Sequence, residues 1–157
     1  MRIGFGYDIH KLVPARDLMI GGCIIPHDLG EDGYSDGDVL IHSLIDALLG
    51  AASLGDIGTH FPPGDPQYKN ISSRILLRKT KDLVSVTGMS IVNCDCTVVL
   101  ERPKLAPHIS RIVQAIAEDL CLNLHDVSVK AKTKEGVDST GQGLAIEAYA
   151  VVLLETK

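Results

Sequence analysis

Asp8 and His10 stand two residues apart near the start of the chain, and His42 lies between Asp38 and Asp46 at intervals of four. In an extended segment, residues i and i+2 share a face, so Asp8 and His10 can converge on a single ion. On a helix, steps of four drift slowly round the axis, so Asp38, His42 and Asp46 form one polar stripe. Asp8, His10 and His42 together offer three N/O ligands with a fourth position open, the donor set of a catalytic zinc site. The same donors accept Mn, Fe or Co, because softness and geometry discriminate weakly among these ions. Asp46, one turn beyond His42, is placed to orient a ligand imidazole and fix its tautomer. Two plainer accounts compete: a core histidine satisfied by its neighbours, and chance co-occurrence in a chain with six histidines.

The elements that must position these groups follow from periodicity. Residues 2–10 alternate, with Ile3, Phe5, Tyr7 and Ile9 on one face and Gly4, Gly6, Asp8 and His10 on the other. This predicts a strand with one greasy side and, opposite it, bare backbone that leaves room for something to approach. Leu18 to Ile20 and Cys23 to Ile25, joined by Gly21 and Gly22, predict a short hairpin, since paired glycines accept positive φ. Residues 26–34 have the character of a loop. Ser35 and Asp36, either able to cap a helix, precede Val39, Leu40, Ile41, Leu44, Ile45, Leu48 and Leu49, which fall on nearly every side of a buried helix. The stretch 54–66 is too dense in Gly and Pro for regular structure, and Ile57 and Phe61 within it favour a substrate flap.

A second helix is expected from a Ser72 cap to about Val86, stopped by Gly88. Met89 to Leu100 alternates as a long strand, with Val92, Cys94, Cys96 and Val98 opposite Asn93, Asp95 and Thr97. Pro107 suits the first turn of a third helix, whose Ile109, Ile112, Val113, Ile116, Ala117 and Leu120 form a clean stripe. Val127, Val129, Ala131 and Thr133 alternate with Ser128, Lys130, Lys132 and Lys134, a strand whose basic edge is either solvated or meets phosphate. Residues 135–143 form a loop and 144–154 a final buried strand. This order predicts a single α+β domain over residues 1–157: a two-layer sandwich with a mixed β-sheet covered on one face by helices.

Composition bounds the partners. A chain of 157 residues fits one domain and buries roughly two thirds of its unfolded surface. With no Trp and two Phe among 45% hydrophobic residues, the core must be aliphatic. Fifteen Lys plus Arg against twenty Asp plus Glu leave a formal charge of -5, which opposes non-specific nucleic-acid binding, so any phosphate recognition is local. Cys23, Cys94, Cys96 and Cys121 lack a C-x-x-C spacing; Cys94 and Cys96 share a face of a strand and could share a metal, but they suit small buried hydrophobes in a reducing compartment better. No signal-peptide pattern is present, and the apolar segment 144–154 carries Glu147 and falls short of the ~20 residues that span a bilayer. The expectation is a cytoplasmic protein without membrane or nucleic-acid partners; a removed transit peptide would leave no trace. There is no G-x-S-x-G, P-loop or H-E-x-x-H pattern, so nothing proposes covalent catalysis.

Several motifs in order resemble one family. Asp8-Ile9-His10 after a glycine-rich strand, Ser35-Asp36-Gly37-Asp38-Val39 leading to His42 and Asp46, and Leu54-Gly55-Asp56-Ile57-Gly58 with Phe61-Pro62 resemble the 2-C-methyl-D-erythritol 2,4-cyclodiphosphate synthases. Arg102 to His108 and Val129 to Glu135 fall where that family keeps nucleotide-binding segments, so the resemblance covers essentially the whole chain. It implies a homotrimer with active sites between neighbouring subunits. It also implies a phosphorus-oxygen lyase of non-mevalonate isoprenoid synthesis, cyclising 4-diphosphocytidyl-2-C-methyl-D-erythritol 2-phosphate with release of CMP. At matching positions, Asp8, His10 and His42 would hold zinc or another divalent transition metal, and Glu135 would help hold Mg or Mn at the substrate diphosphate. Leu100, Pro103, Lys104, Leu105 and Ala106, with Ala131, Lys132 and Thr133, would line a cytidine pocket. Ser35, Asp56, Ile57, Gly58, Phe61 and Asp65 would surround the erythritol part. Thr133 would donate to a phosphate oxygen, and Lys132 would add charge there.

Three departures from the family pattern stand out. Tyr34 occupies the place of a histidine that is thought to help stabilise the transition state, so that role either passes to the phenol or is dispensable. Pro63 replaces a frequent acidic residue. Phe5 and Gln142 replace basic or polar side chains near the trimer axis, so no isoprenoid diphosphate is expected there. Two other function classes use the same residues: a metal-dependent phosphoesterase that activates water, and a non-catalytic nucleotide-binding protein with structural histidines.

Overall fold

Strand β1 (Arg2–Pro14) carries half of the candidate chemistry, and the helix layer is laid against its glycine side. The computed structural model describes residues 1–157. β1 pairs antiparallel with β7 (Ala145–Thr156) from Arg2↔Leu154 to Lys11↔Ala145, and at its far end with the short β4 (Leu29–Glu31). β7 pairs antiparallel with β5 (Met89–Val99), with a register shift between Ile91 and Asn93, and β5 runs parallel to β6 (Val127–Lys132). The sheet order is therefore β4-β1-β7-β5-β6, mixed as expected, with β2 (Leu18–Ile20) and β3 (Cys23–Ile25) as a separate hairpin. Residues 29–31, expected as loop, became an edge strand because the long β1 offers them a backbone ladder that their own composition does not advertise.

Three helices cover one face: α1 (Val39–Ala52), α3 (Ser73–Val86) and α4 (Ile109–Leu120). Ile146, Ala148, Ala150, Val152 and Leu154 of β7 point inward against them, as do Cys94, Cys96 and Val98 of β5. α1 is buried on nearly every side, as its composition predicts, and only His42, Asp46 and Gly50 escape full burial. Six Leu and Ile side chains of α1 are completely inaccessible, each contributing about 1.5–3 kcal/mol of transfer free energy. The helix axis is thus held independently of the polar side chains it carries.

The alternation of β1 leaves open which side meets the helices, and packing decides it. The greasy side, Ile3, Phe5, Tyr7 and Ile9, faces away from them and is 42–74% exposed. The glycine side lies under α1: a Cβ on Gly4 would sit 1.8 Å from the Ala47 carbonyl oxygen, and one on Gly6 would sit 1.9 Å from that of Ser43. The helix cap is a correction. Neither Ser35 nor Asp36 caps α1; the buried Asp38 carboxylate accepts from Ile41 N–H at 3.0 Å and also from Gly21 and Gly22 N–H of the β2–β3 turn. Asp38 therefore ties the hairpin to the helix and leaves the polar stripe to His42 and Asp46. Asp36 serves α3 instead, accepting the Ser73 N–H at 2.9 Å, whereas the Ser72 side chain makes no capping bond.

One single-turn element, α2 (Ile57–His60), capped by Asp56, sits inside the stretch 54–66 expected to be irregular, and a 3-10 turn at Pro66–Tyr68, capped by Asp65, begins at its last residue. A further turn, α5 (Asp138–Gly141), interrupts the loop before β7. No helix is long and apolar enough to cross a membrane.

The close approach of α1 to β1 makes a testable contrast. Gly6→Ala must displace the Ser43 carbonyl and should destabilise the protein by about 2 kcal/mol or more. Gly50→Ala, with nothing within 4 Å of the added methyl, should stabilise it by about 0.5–1 kcal/mol. Denaturant unfolding of both variants checks this; a Gly6→Ala protein as stable as the parent would contradict the packing.

Candidate metal centre

The α1–β1 contact delivers three side chains to one point. Asp8 Oδ2 lies 3.1 Å from His10 Nε2 and 3.1 Å from His42 Nδ1, and the three ligand atoms all lie within 4.8 Å of one another. The imidazole centroids are 5.2 Å apart, edge to face. The structure thus brings together the trio read from spacing, at the floor of a cavity of about 250 Å³.

The atoms turned away from the centre show how the rings are aimed. His10 Nδ1 lies 2.6 Å from the Gly37 carbonyl, an acceptor that requires a proton on Nδ1 and turns Nε2 toward Asp8. His42 is mounted the other way round: Nε2 lies 2.9 Å from Ser73 Oγ and 3.1 Å from Ser35 Oγ, so Nδ1 faces Asp8. Ser73 Oγ in turn donates to Asp36 Oδ1, which leaves the serine oxygen free to accept from the ring. Outer partners of this kind set the tautomer and direction of metal-bound imidazoles. The donor set fits a divalent cation: two ring nitrogens, whose protons a bound metal would displace, and a carboxylate oxygen point inward, and every outer nitrogen has an acceptor.

The electrostatics agree. Burial works against the charged Asp8 carboxylate, but hydrogen bonds from His10 and His42 outweigh it and hold its pKa well below the usual range. Burial also disfavours a charged His10, yet Asp8 and Glu31 beside it push the ring up to about 10. A cluster that draws positive charge this strongly is suited to exchanging protons for a metal ion. Glu31, wholly inaccessible, has its Oε2 3.4 Å from His10 Nδ1 and accepts the Val39 N–H at 2.8 Å, and burial pushes its own carboxyl up to about 8. Its place in a segment taken as loop concealed it from sequence reasoning, as Ser73's place in a helical pattern concealed that residue.

Asp46 is a correction. Its carboxylate accepts the Ile57 N–H at 2.7 Å and makes no hydrogen bond to either imidazole; the orienting role belongs to Ser35, Ser73 and Gly37. Asp46 still lines the cavity, with Tyr34, Ser35, Ile57, Gly58, Phe61 and Pro63. Two other residues expected in the flap lie outside that lining. Asp56 accepts from Thr59 N–H and O–H as a helix cap, and the Asp65 carboxylate accepts from Gln67. Both aspartates cap the short turns that follow them. The hydroxyl of Tyr34, expected at the chemistry, donates to the Asp65 carbonyl at 3.1 Å.

The remaining expected residues gather elsewhere on the chain. Leu100, Pro103, Lys104, Leu105, Ala106, Ala131, Lys132 and Thr133 line one cavity of about 190 Å³. Of the basic run, Lys132 alone reaches it: Lys130 pairs with Asp95, and Lys134 with Asp138 and Glu147. Thr133 Oγ1 donates to Glu135 at 2.6 Å, an exposed carboxylate that does not join the Asp8, His10, His42 cluster within the chain. Asp8, Ala148, Val98 and Ala131 are successive partners across the sheet, so the two cavities stand three strand spacings apart, about 14 Å.

Comparison with known proteins places this geometry. The model of the YgbB family matches residues 1–155. The 2-C-methyl-D-erythritol 2,4-cyclodiphosphate synthase of Gloeobacter violaceus is 57% identical over 155 residues, 99% of this chain and 95% of that protein. A solved structure of a synthase of that name, in a CDP-bound form, matches with a TM-score of 0.91 at 38% identity over 98% of this chain and 100% of that one. The bifunctional IspDF of Campylobacter jejuni matches with a TM-score of 0.96 at 36% identity over 99% of this chain, which spans 42% of that longer protein.

The mounting of His42 yields a prediction. Ser73→Ala should weaken divalent-metal affinity of the folded protein about 10–100-fold, measured by competition with a chromophoric chelator, and loss of the buried bond to Asp36 should also lower stability by about 1 kcal/mol or more. Unchanged affinity would show that Ser73 does not aim the ring.

Proposed function

The chain belongs to the YgbB family, the 2-C-methyl-D-erythritol 2,4-cyclodiphosphate synthases, and on that premise we propose that it converts 4-diphosphocytidyl-2-C-methyl-D-erythritol 2-phosphate to the 2,4-cyclodiphosphate and CMP in non-mevalonate isoprenoid synthesis. The convergence of Asp8, His10 and His42 at the floor of a partly apolar cavity carries this reading. In the reaction, an oxygen of the 2-phosphate bonds to the β-phosphorus as the bond to the α-phosphate oxygen breaks, and CMP leaves. The attacking group is already anionic, so the step needs alignment and charge neutralisation more than a general base.

Zinc or another divalent ion held by Asp8, His10 and His42 would supply Lewis-acid polarisation of a phosphoryl oxygen. Ser35, Ser73 and the Gly37 carbonyl keep the two rings aimed inward. Ile57, Phe61 and Leu76 give the cavity apolar walls, which favours attack by the enclosed phosphate over attack by water and sets cyclisation above the phosphoesterase alternative. Lys104 and Lys132 beside Leu100 and Leu105 suit a cytidine nucleotide, in keeping with the CDP-bound relative. Thr133 would donate to the diphosphate, and Glu135 would help hold Mg or Mn there.

A homotrimer with sites between subunits accounts for two features of the chain. A neighbour would bring its own nucleotide cavity to this chain's metal centre. It would also cover part of the outer sheet face, where Ile3, Phe5, Tyr7, Ile9 and Val151 are each at least 42% exposed, an apolar area of the kind that marks an association surface. A cytoplasmic location and a phosphorus-oxygen lyase class belong to the same proposal.

Product analysis tests the reaction: the cyclic diphosphate with CMP is expected, and an acyclic product would reject it. His42→Ala should lose bound metal and reduce CMP release by more than the ~10–100-fold that removal of an outer partner costs; near-normal release would remove His42 from the site. Phe5→Glu should lower the solution mass from three times the 16.8 kDa chain mass and reduce CMP release, while metal binding persists. An unchanged mass by light scattering would place the subunit contact elsewhere.

A further inference from the structure

The flap over the metal centre is tied at both ends by side chains that do not belong to it. At the near end Asp46 accepts the Ile57 N–H at 2.7 Å. At the far end the Tyr34 hydroxyl donates to the Asp65 carbonyl at 3.1 Å. Between these points the hydrogen bonds stay local: Phe61 N–H to Ile57 O, Asp65 N–H to Pro62 O, and the His60 ring to Leu54 O. Gly64 has nothing within 4 Å of where a side chain would begin. The middle of the flap has no hydrogen bond beyond residues 54–65; Phe61 is buried in the core with Ile57 and Tyr68 packed against it, so apolar packing seats this stretch while the two ties fix its ends.

Tyr34 is a well-mounted post for the far tie. Its own carbonyl accepts the Asn70 N–H at 2.9 Å, and Arg16 donates to the carbonyls on either side, Gly33 at 3.1 Å and Ser35 at 3.0 Å. The backbone at residue 34 is thus fixed without help from the phenol. The side chain lines the same cavity as Phe61 and Pro63, with its hydroxyl bonded to a flap carbonyl outside the metal cluster.

We propose that Tyr34 is a positioning residue that latches the far end of the 57–68 segment over the metal centre, acting on the bound polyol phosphate through the flap residues that line the cavity and not by contact with the reacting phosphorus. The latch itself stands on this geometry; its kinetic consequence rests on the function proposed above. The phenol is the device by which a chain with Tyr at this position holds its flap, since imidazole is shorter than phenol and places its polar atoms nearer the backbone.

Amide hydrogen exchange on the full-length protein, with and without Tyr34→Phe, separates the two. Loss of the hydroxyl should speed exchange at the Phe61 and Asp65 amides about three- to tenfold, the range one net hydrogen bond supports. The Asn70 amide, bonded to the Tyr34 carbonyl, and the bound metal content should not change. In turnover, KM should rise by about the same factor with kcat nearly constant. Unchanged exchange at Phe61 and Asp65 would overturn the latch whether or not the protein releases CMP. So would a kcat loss of about a hundredfold or more with flap protection intact, which would put the phenol on the reacting atoms. If wild-type protein released no CMP, the proposed reaction would fail, and the exchange result would still decide the latch.

Discussion

The carbonyl oxygens of Ser43 and Ala47 occupy the space where side chains at Gly6 and Gly4 would begin. That contact sets the distance between α1 and β1, and with it the distance from His42 to Asp8. Any side chain at either glycine would lift the helix off the strand, and a helix displaced by an ångström could not keep His42 Nδ1 at 3.1 Å from Asp8 Oδ2. Close-packed interiors transmit such displacements and do not absorb them. The burial of α1 on almost every side supplies the force that holds it down, and the glycines supply the room.

A second constraint acts through residues 31–38, which connect the edge strand to α1. Arg16 donates to the carbonyls of Glu31, Gly33 and Ser35, pinning a segment with little regular structure of its own. From that segment Gly37 O aims His10, Ser35 helps aim His42, Asp36 holds both Ser73 and the start of α3, and Asp38 caps α1 while gripping the β2–β3 turn. The polar groups around the centre are thus satisfied by neighbours that also fasten the elements together. Orientation of the ligands and assembly of the helix layer share the same bonds.

The chain divides the chemistry between two ends of its sheet. The metal-ligating cluster grows from β1 and α1, while the cavity with Lys104, Lys132 and Thr133 grows from the ends of β5 and β6. Two strands lie between, and the outer sheet face that joins the two regions presents Phe5, Tyr7 and Tyr149 in ring contact. The trimer proposed above would bring one chain's metal-ligating cluster beside another chain's second cavity, across this aromatic surface.

Much of this was legible in the residues alone. Alternation and helical periodicity determined β1, β5, β6, α1, α3 and α4, because a half-buried strand and an amphipathic or buried helix each write their period into the chain. Spacing determined that Asp8 and His10 share a face and that His42 and Asp46 share a stripe, because those relations are local geometry. Other outcomes required distant segments to meet. Alternation in β1 could not say which face the helices choose, and the glycine side won because backbone there admits α1 more closely than Phe5 or Tyr7 would. Spacing puts Asp38 and Asp46 in the stripe of His42 and resemblance puts Tyr34 at the chemistry, whereas their partners, Gly21 and Gly22, Ile57, and Asp65, come from other parts of the chain. Sequence by itself determined the donors and the elements that carry them; tertiary structure decided which donor faces which, because hydrogen-bond partners and packing distances are set by contacts that local periodicity does not encode.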